Sequence, residues 1–372
     1  MQVDFHYYGV YALARLAGLN QNAAKIIATA SQYVDDALGN DTLDHENGGK
    51  LIPVVTAHHT ACVKNINRDD QRFIWVPFHF LPGNHGDAFT ERLVCRKNSD
   101  MAKTMRDHHL NLFDKPFALE LMGITAHVYA DTFAHFGFSG VSSRRNRVKN
   151  DDIRLINVSK KARVFWDEEQ LKFYRKYGTQ GGLLKNIKRT LFSSGAELFS
   201  GALGHGAVLT YPDQPYLHWQ FTYENKGESF PDRPTHEYDR KNQDCFLEAC
   251  RELHDLFIRF GDLRPDCRDT EGPVVFNGDV ENCIREILAF EEGKPKRSQA
   301  WNKAVKAGRL YSGEKIPPYD AKAWDDARDG FPGLKTTKET ATYPVYRFYQ
   351  AASLHQHYVL RELLPENGLV VV

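Results

Sequence analysis

One short segment, residues 126–135, carries two histidines and an aspartate at every fourth position. An α-helix has about 3.6 residues per turn, so His127, Asp131 and His135 would lie on one helix face, on consecutive turns. The residues between them are mostly small or apolar, which favours a face that points into the protein. Two imidazoles and a carboxylate on such a face match the ligands that zinc prefers. The alternative is a set of polar residues at the edge of the core that form hydrogen bonds with other helices.

Helical patterns cover most of the remaining chain and strand signals are few, so the expected fold is a mostly-α, multi-helix bundle with long loops. Gly18 ends the first predicted helix, Asn20 caps the second, and Asp114 caps a long helix that runs to Gly137. Further predicted helices cover about residues 167–176, 181–203, 235–260 (capped by Thr235), 278–292, 297–307, 320–329 and 343–363. Extended backbone is expected for residues 73–83, which contain two prolines, and for the aromatic stretch 211–223.

A change in composition after Gly261 predicts two parts of the chain. Proline and glycine become more frequent there, and the predicted helices become shorter. Residues 1–262 are therefore expected to form a metal-binding helical catalytic domain, and residues 263–372 a C-terminal helical extension packed on its core.

The overall composition excludes several functional classes. The 372 residues include 48 Lys+Arg and 48 Asp+Glu, and 42% of the residues are hydrophobic. This content excludes disorder for most of the chain, and the zero net charge disfavours general binding of polyanions. No apolar run is long enough to predict a membrane span, and the first residues lack the pattern of a cleavable secretory signal. We therefore expect a cytoplasmic protein, or one exported by a route without a cleavable signal peptide.

Histidine is frequent, with 16 in the chain, and imidazole is the commonest side-chain metal ligand. Outside residues 126–135, the candidate ligands are His6 near the N-terminus, Asp35 at the end of a predicted helix, and His205 between two glycines. Carboxylates at a helix C-terminus oppose the helix dipole, so a cation near Asp35 or Asp36 would compensate. Each candidate also has a purely structural interpretation. His6 could form a hydrogen bond within the N-terminal tail, Asp35 could belong to a solvated acidic pair, and His205 could merely accompany a glycine helix cap.

Three further residues are candidates for the site or its surroundings. Asp213 follows His205 by eight positions and could fold back toward it from the turn at Pro212. His79, flanked by apolar residues, is as compatible with a hydrogen-bonded core histidine as with a ligand. Arg145 belongs to a basic loop that is typical of solvated surface, but its guanidinium would suit a phosphate at the rim of a site.

The N-terminal histidine, the aspartate at a helix end, the His-x3-Asp helix and the later His and Asp residues together resemble the zinc-dependent phospholipase C family. The related zinc-dependent single-strand nucleases share that mostly helical fold, and some bacterial proteins of unassigned function carry the same motifs. The resemblance is one of pattern and covers roughly residues 1–220. It implies that His127 and Asp131 bind a tri-zinc cluster in which Asp131 bridges two ions. It gives the N-terminal histidine role to His6 and the early aspartate role to Asp35 or, less readily, Asp36.

Two departures from the family pattern lower the expected number of metals. The family uses an amino group exposed by removal of a signal peptide, and no such signal is recognised here. The family also has an acidic residue four positions after its later histidine, where this chain has Leu209, so Asp213 would have to replace it. We therefore expect one to three ions, and one or two rather than a full cluster of three; the metal would be zinc or another divalent ion. The expected ligands are His6, Asp35, His127, Asp131, His135, His205 and Asp213.

The resemblance implies a hydrolase of phosphoric ester bonds that uses a metal-activated water. The expected catalytic residues are Asp131, Asp35 and, for its fit to a substrate phosphate, Arg145. The implied substrate is a phosphodiester, either a phospholipid head group or a nucleic-acid strand, and the zero net charge slightly favours the lipid or a small diester. One alternative is a nuclease-type phosphodiesterase or an antibacterial toxin, which would have an inhibitor or immunity protein as its partner. Another is a non-catalytic protein whose metal clamps helices together, for which closed four-ligand coordination would be typical.

Overall fold

The computed structural model describes residues 1–39, 41–58, 68–149, 152–177, 203–223, 237–311 and 313–372. Most of these residues are helical, which confirms the mostly-α prediction. The helices of seven or more residues are, in chain order, α1 (Val10–Leu16), α2 (Gln21–Asp36), α3 (Asp100–Leu110), α4 (Ala118–His135), α5 (Lys160–Tyr177), α6 (Asn242–Leu263), α7 (Gly278–Leu288), α8 (Lys294–Lys306), α9 (Ala321–Asp329) and α10 (Pro344–His357).

Shorter helical segments connect these helices. They are Asp4–Gly9, Arg68–Asp70, Gln71–Trp75, Val76–Phe78, Phe89–Arg92, Arg144–Asn146, Gly206–Val208, Tyr211–Asp213, Pro265–Cys267, Phe331–Gly333, Thr340–Thr342, Tyr358–Leu363 and Leu364–Glu366. The segment Asp4–Gly9 leads directly into α1, and Gln71–Trp75 leads into Val76–Phe78. Helical backbone therefore holds His6, and also positions His79, which caps the second pair of segments.

Two small antiparallel sheets accompany the helices. Strands β1 (Leu43–Asp44) and β2 (Lys50–Leu51) form a two-stranded sheet. Strands β3 (Arg154–Ile156), β4 (His218–Thr222) and β5 (Glu237–Lys241) form the other sheet, in the order β3-β4-β5. On β4 and β5, Phe221 pairs directly with Tyr238 and the two rings stack, the kind of cross-strand contact that stabilises a sheet.

Helices α2 and α4 pack closely because α4 has a glycine where they meet. A side chain at Gly123 would place its Cβ 2.4 Å from the carbonyl oxygen of Ile27 and 2.6 Å from the Cβ of Ala30. Only glycine permits so close an approach without a shift of the backbone. The contact brings the end of α2 next to the middle of α4, so that the carbonyl oxygen of Ser31 accepts a hydrogen bond from His127.

Several local predictions can be compared with the structure. Asn20 caps α2 by accepting a hydrogen bond from the amide of Ala23, as predicted. Residues 73–78 are helical rather than extended, although Pro77 lies inside this helical stretch: the carbonyl oxygen of Phe73, four residues earlier, accepts a hydrogen bond from Gln356 in place of the N–H that proline lacks. The helix predicted from residue 235 begins only at Asn242, because residues 237–241 pair with β4. Thr235 and nearly all of the predicted helix 181–203 lie outside the described residues.

One hydrophobic core contains side chains from both predicted parts of the chain. Leu13 of α1 and Phe133 of α4 belong to the same buried cluster as Trp301 of α8 and Phe348 of α10. A second cluster surrounds β4 and includes Phe138, Trp166 and Trp219. None of the helices in the described part of the chain is both long and apolar enough to cross a membrane.

Candidate metal centre

The polar face of α4 lies inside the protein. His127, Asp131 and His135 are at most 4% exposed. Oδ2 of Asp131 is 3.2 Å from Nε2 of His127 and 3.4 Å from Nδ1 of His135, so the carboxylate stands between the two imidazoles. Asp131 is the residue around which the other candidate ligands gather.

Four histidines near Asp131 each donate one ring N–H to a backbone carbonyl oxygen. The bonds run from His127 Nδ1 to Ser31 (2.8 Å), from His79 Nε2 to Thr56 (2.9 Å), from His135 Nδ1 to His79 (2.9 Å) and from His205 Nδ1 to Leu209 (2.6 Å). A carbonyl oxygen can only accept, so the bonded nitrogen carries the proton and the other nitrogen of a neutral ring has a free lone pair. Metal-binding histidines are commonly oriented by such second hydrogen bonds.

The first ligand group, called position 1, combines Asp35, His79 and His127 with Oδ2 of Asp131. The free nitrogens of the two histidines are 3.3 Å apart. Each of them is 3.9 Å from Oδ1 of Asp35, and they lie 3.4 and 3.2 Å from Oδ2 of Asp131. Two lone pairs and two carboxylates, contributed by α2, α4 and His79 after the short helix Val76–Phe78, therefore converge on one point.

The second group, position 2, combines His135, His205 and Asp213. Nε2 of His135 is 3.0 Å from Oδ1 of Asp213, and Nε2 of His205 is 3.6 Å from Oδ2 of the same carboxylate. Asp213 reaches the histidines because it ends the short helical turn Tyr211–Asp213. Gly204 has a φ of +55°, and a Cβ there would lie 2.5 Å from the ring of Phe80, so the close approach of this segment requires glycine.

The third group, position 3, combines the amino group of Met1 and the ring of His6 with Oδ1 of Asp131. The amino nitrogen is 2.7 Å from that oxygen and Nε2 of His6 is 3.2 Å from it. The ring of His6 stacks on that of His127, with 3.8 Å between centroids. His127 could be grouped with His6 by distance alone, but its one free nitrogen faces Oδ2, and we therefore assign it to position 1. Asp131 thus joins position 1 through one oxygen and position 3 through the other.

Both buried aspartates of the centre stay ionised. Burial by itself raises the pKa of Asp131, but the facing His135 and the Met1 amino group hold that pKa well below its usual range. Burial opposes ionisation of Asp213 in the same way, and there the Met1 amino group and His205 lower the pKa. The two carboxylates therefore supply negative charge to all three positions.

The pKa values of two imidazoles and of the Met1 amino group shift in opposite directions. Burial lowers the pKa of His6 to about 3 and that of His205 to about 4, so both rings are neutral at neutral pH. Burial also disfavours a charge on the Met1 amino group, but Asp131 and Asp213 outweigh it and raise the pKa to about 11. A ligand role for the amino group therefore requires that a metal displace its proton.

The donor atoms of the centre fit metal ions. A neutral imidazole lone pair that faces a carboxylate oxygen at 3.0–3.4 Å is repelled unless a cation or a proton lies between them. Both ring nitrogens of His6 are buried and have no hydrogen-bond partner within the described part of the chain. Buried polar atoms of this kind are normally satisfied, and a metal ion bound by nitrogen and oxygen atoms would satisfy them.

The sequence-predicted residues differ in where the structure places them. His6, Asp35, His127, Asp131, His135, His205 and Asp213 all lie in the three ligand groups. Asp36 does not, since it accepts hydrogen bonds from Tyr319 and Gln32 instead. Arg145 is only 6% exposed and donates to Thr90 and Glu91, so it occupies a buried ion pair rather than the solvent-facing loop position that the sequence indicated.

Two members of the centre were not among the expected ligands. His79 had an apolar neighbourhood that fitted a core histidine equally well, and only its hydrogen bond to Thr56 and its contact with Asp131 distinguish the two cases. The amino group of Met1 has no side-chain motif that a sequence could reveal. The family that the sequence resembles has an amino-terminal ligand, but the missing signal-peptide pattern argued against one in this chain.

Comparisons with known proteins identify the family but no activity. No curated protein matches this chain, and no solved structure matches it. The model of a family of unknown function, DUF6765, matches residues 1–363, which is almost the whole chain. The chain carrying this three-position centre therefore belongs to the family DUF6765.

Proposed function

We propose that this protein is a zinc-dependent hydrolase of phosphodiesters, with a centre of up to three metal ions like that of the zinc-dependent phospholipases C. The proposal rests mainly on the unequal exposure of the ligands at position 1. The side chain of Asp35 is 31% exposed, whereas those of His79, His127 and Asp131 are nearly or fully buried. Among these four ligands Asp35 is the one that is partly exposed, and a water or a substrate oxygen would have to reach position 1 from its side.

The donor set supports zinc at these positions. Each position combines imidazole nitrogen with carboxylate oxygen, the combination typical of zinc sites, and no cysteine is among the ligand groups found in the described residues. Zinc bound there would lower the pKa of a water molecule to about 7 and polarise a phosphoryl oxygen.

The residues of the chain would have distinct tasks in this reaction. Asp35, at the open side, would orient the attacking water and accept its proton. Asp131 would fix the spacing of positions 1 and 3 through its two oxygens. The backbone carbonyls that bind His79 and His127 would hold both rings in the tautomer that presents a lone pair. Arg145 has no assigned task, because its guanidinium is paired with Glu91 inside the protein.

Two other functions remain as alternatives. A nuclease-type phosphodiesterase, including an antibacterial toxin with an immunity protein as partner, would use the same centre on a nucleic-acid strand. A purely structural metal site would need no open position, and the exposure of Asp35 favours an enzyme over that role.

The test uses the neighbouring aspartates Asp35 and Asp36 as a matched pair. Purified protein would be analysed for bound metal and assayed on bis(p-nitrophenyl) phosphate, p-nitrophenylphosphorylcholine and single-stranded DNA. We expect zinc-dependent release of nitrophenol from at least one diester, lost about 100-fold or more in Asp35→Asn. Asp36→Asn should keep activity within a few fold, because Asp36 binds Tyr319 and lies outside the ligand groups.

Each result has a defined meaning. Cleavage of DNA alone would favour the nuclease alternative, and cleavage of the phosphorylcholine ester would favour a phospholipid. Zinc-loaded protein that hydrolyses none of the three substrates, with equal metal content in both variants, would contradict the proposal and favour a structural metal.

A further inference from the structure

Arg297 of α8 is a buried cation that donates five hydrogen bonds near the metal centre. It is 2% exposed, although it belongs to the part of the chain that composition separates from residues 1–262. Its Nε and Nη2 donate to the two oxygens of Asp4, at 2.7 and 3.0 Å. Nη2 also donates to Gln2 at 2.6 Å, and Nη1 donates to Gln214 at 2.9 Å and to the carbonyl oxygen of Glu292 at 2.7 Å. All five N–H groups of the guanidinium are therefore used.

The side chains that Arg297 binds stand directly beside metal-ligand residues. Gln2 follows Met1 in the chain, and Asp4 precedes His6 by two residues. The bonds from Arg297 to Gln2 and Asp4 therefore hold the N-terminal segment, which supplies the Met1 amino group and His6 to position 3. Gln214 follows Asp213, which belongs to position 2. One guanidinium thus connects two ligand-bearing segments that are about 200 residues apart in the sequence.

We propose that Arg297 is a positioning residue that holds the N-terminal segment and the Asp213 turn at the separation that positions 2 and 3 require. The inference rests on the metal centre described under the proposed function. It makes the C-terminal part of the chain a necessary component of that centre. Position 1 depends on Arg297 only indirectly, through the stacking of His6 on His127 and through Asp131, since none of the four hydrogen-bond partners of the guanidinium is adjacent in sequence to Asp35, His79 or His127.

Two physical arguments favour positioning over simple stabilisation. A buried ion pair is seldom better for stability than well-packed apolar side chains of the same size, so stability alone does not require arginine here. Chain termini are usually mobile unless they are tied down, yet Met1 is only 7% exposed. The planar fork of arginine fixes both the distance and the orientation of the Asp4 carboxylate, which a lysine would not do.

The test measures metal binding rather than hydrolysis. Wild-type protein, Arg297→Lys and Arg297→Met would be stripped of metal, titrated with zinc, and separately loaded with cobalt to record its visible absorption. Arg15→Met provides the matched control. Arg15 is 8% exposed and also joins the two parts of the chain, through Glu314 and Asp269, but its partners are not adjacent to metal ligands.

We expect Arg297→Met to keep about one tight site and to lose at least tenfold in affinity at the others. Its cobalt spectrum should change correspondingly, and Arg297→Lys should recover part of the lost affinity. Arg15→Met should lower the unfolding temperature but leave zinc stoichiometry and the cobalt spectrum unchanged. If Arg297→Met does not fold, Gln2→Met and Gln214→Met replace it, and they should weaken position 3 and position 2 respectively.

The outcomes separate this inference from the proposed function. Unchanged zinc affinities and an unchanged cobalt spectrum in folded Arg297 or glutamine variants would overturn the positioning role alone. Equal losses in Arg15→Met would also overturn it, since they would reveal a general effect of destabilisation. Failure of the wild-type protein to bind any metal would overturn both the inference and the proposed function.

Discussion

The amino nitrogen of Met1 lies 2.7 Å from Oδ1 of Asp131, 130 positions away in the chain, and both groups are shielded from solvent. In the metal-free chain this amino group is an ammonium, because Asp131 and Asp213 raise its pKa to about 11 despite its burial. The ammonium thus places a positive charge where a metal at position 3 would lie. Metal binding there has to release this proton, and it should weaken as the pH falls.

Residues placed ahead of Met1 should remove one metal. A Gly-Ser extension converts the amino group into a neutral amide that has no lone pair for a metal, in a place with no exposed surface. We expect zinc content to fall by about one equivalent, measured by elemental analysis after dialysis. The same dipeptide attached after Val372 serves as the control, and equal zinc content in both extended proteins would contradict a ligand role for the amino group.

Asp131→Asn and Asp213→Asn should lose different numbers of metals. Asp131 contributes one oxygen to position 1 and the other to position 3, whereas Asp213 belongs to position 2 and approaches position 3 only through the Met1 amino nitrogen, 3.2 Å from its Oδ1. We expect Asp131→Asn to lose two metals and Asp213→Asn to lose one, with affinities at the affected positions reduced by about 100-fold or more. Zinc titration of the two proteins side by side would measure this, and equal losses would argue against the bridging role of Asp131.

His205→Ala should weaken metal binding, whereas His218→Ala should not. His205 places a free ring nitrogen at position 2, 3.6 Å from Asp213. His218 also contacts an aspartate, Asp239, but at the surface and outside the ligand groups. We expect at least a tenfold loss of zinc affinity in His205→Ala alone. An unchanged zinc affinity would mean that His205 only stabilises its own turn, through the hydrogen bond to Leu209, and binds no metal.

Glu120→Gln should change how stability depends on pH. Burial raises the pKa of Glu120 to about 7 from an ordinary value of 4.5, and neither carboxylate oxygen has a hydrogen-bond partner within the described residues. The folded protein therefore holds a proton that the unfolded chain releases earlier, and stability falls as the pH rises from 4.5 to 7. The variant should lack this loss in the free energy of unfolding, which is about 3 kcal/mol. Urea unfolding of both metal-free proteins from pH 5 to 8 would measure this difference. If the free energies of unfolding of the wild type and the variant changed equally with pH, the raised pKa of Glu120 would be contradicted.

His355→Asn should reduce the loss of stability in acid. His109 donates to His355, which donates to the carbonyl oxygen of Pro77, and burial lowers the pKa of His109 well below 6.5 and that of His355 to about 4. The unfolded chain therefore binds more protons than the folded one below pH 6.5, and stability is lost as the pH falls from 6.5 toward 4.

This effect is best measured as a difference between variants. For His355 it should reach on the order of 2–3 kcal/mol near pH 4 in metal-free protein. His357→Asn is the control, since His357 lies on the same helix with its side chain 68% exposed. Equal acid sensitivity of the His355 and His357 variants would show that the buried pair does not set the pH dependence.

Local spacing was enough to predict the helical class and the shared face of α4 on which His127, Asp131 and His135 lie. The four-residue interval of His127, Asp131 and His135 and the capping residue Asn20 act within one or two turns of helix, and such effects can be recognised in the sequence. Local patterns misassigned residues 73–78, where Pro77 lies inside helical backbone, and residues 237–241, which pair with β4.

The sequence by itself determined which kinds of side chain could bind a metal, and the tertiary structure decided which of them meet. Asp35 and Asp36 are adjacent in sequence, yet a rotation of about 100° per residue around α2 directs one toward His79 and the other toward Tyr319. The amino group of Met1, His79 and Arg297 join the centre only because segments far apart in the chain pack together. Packing between distant segments depends on the whole core, and short-range spacing contains no information about it.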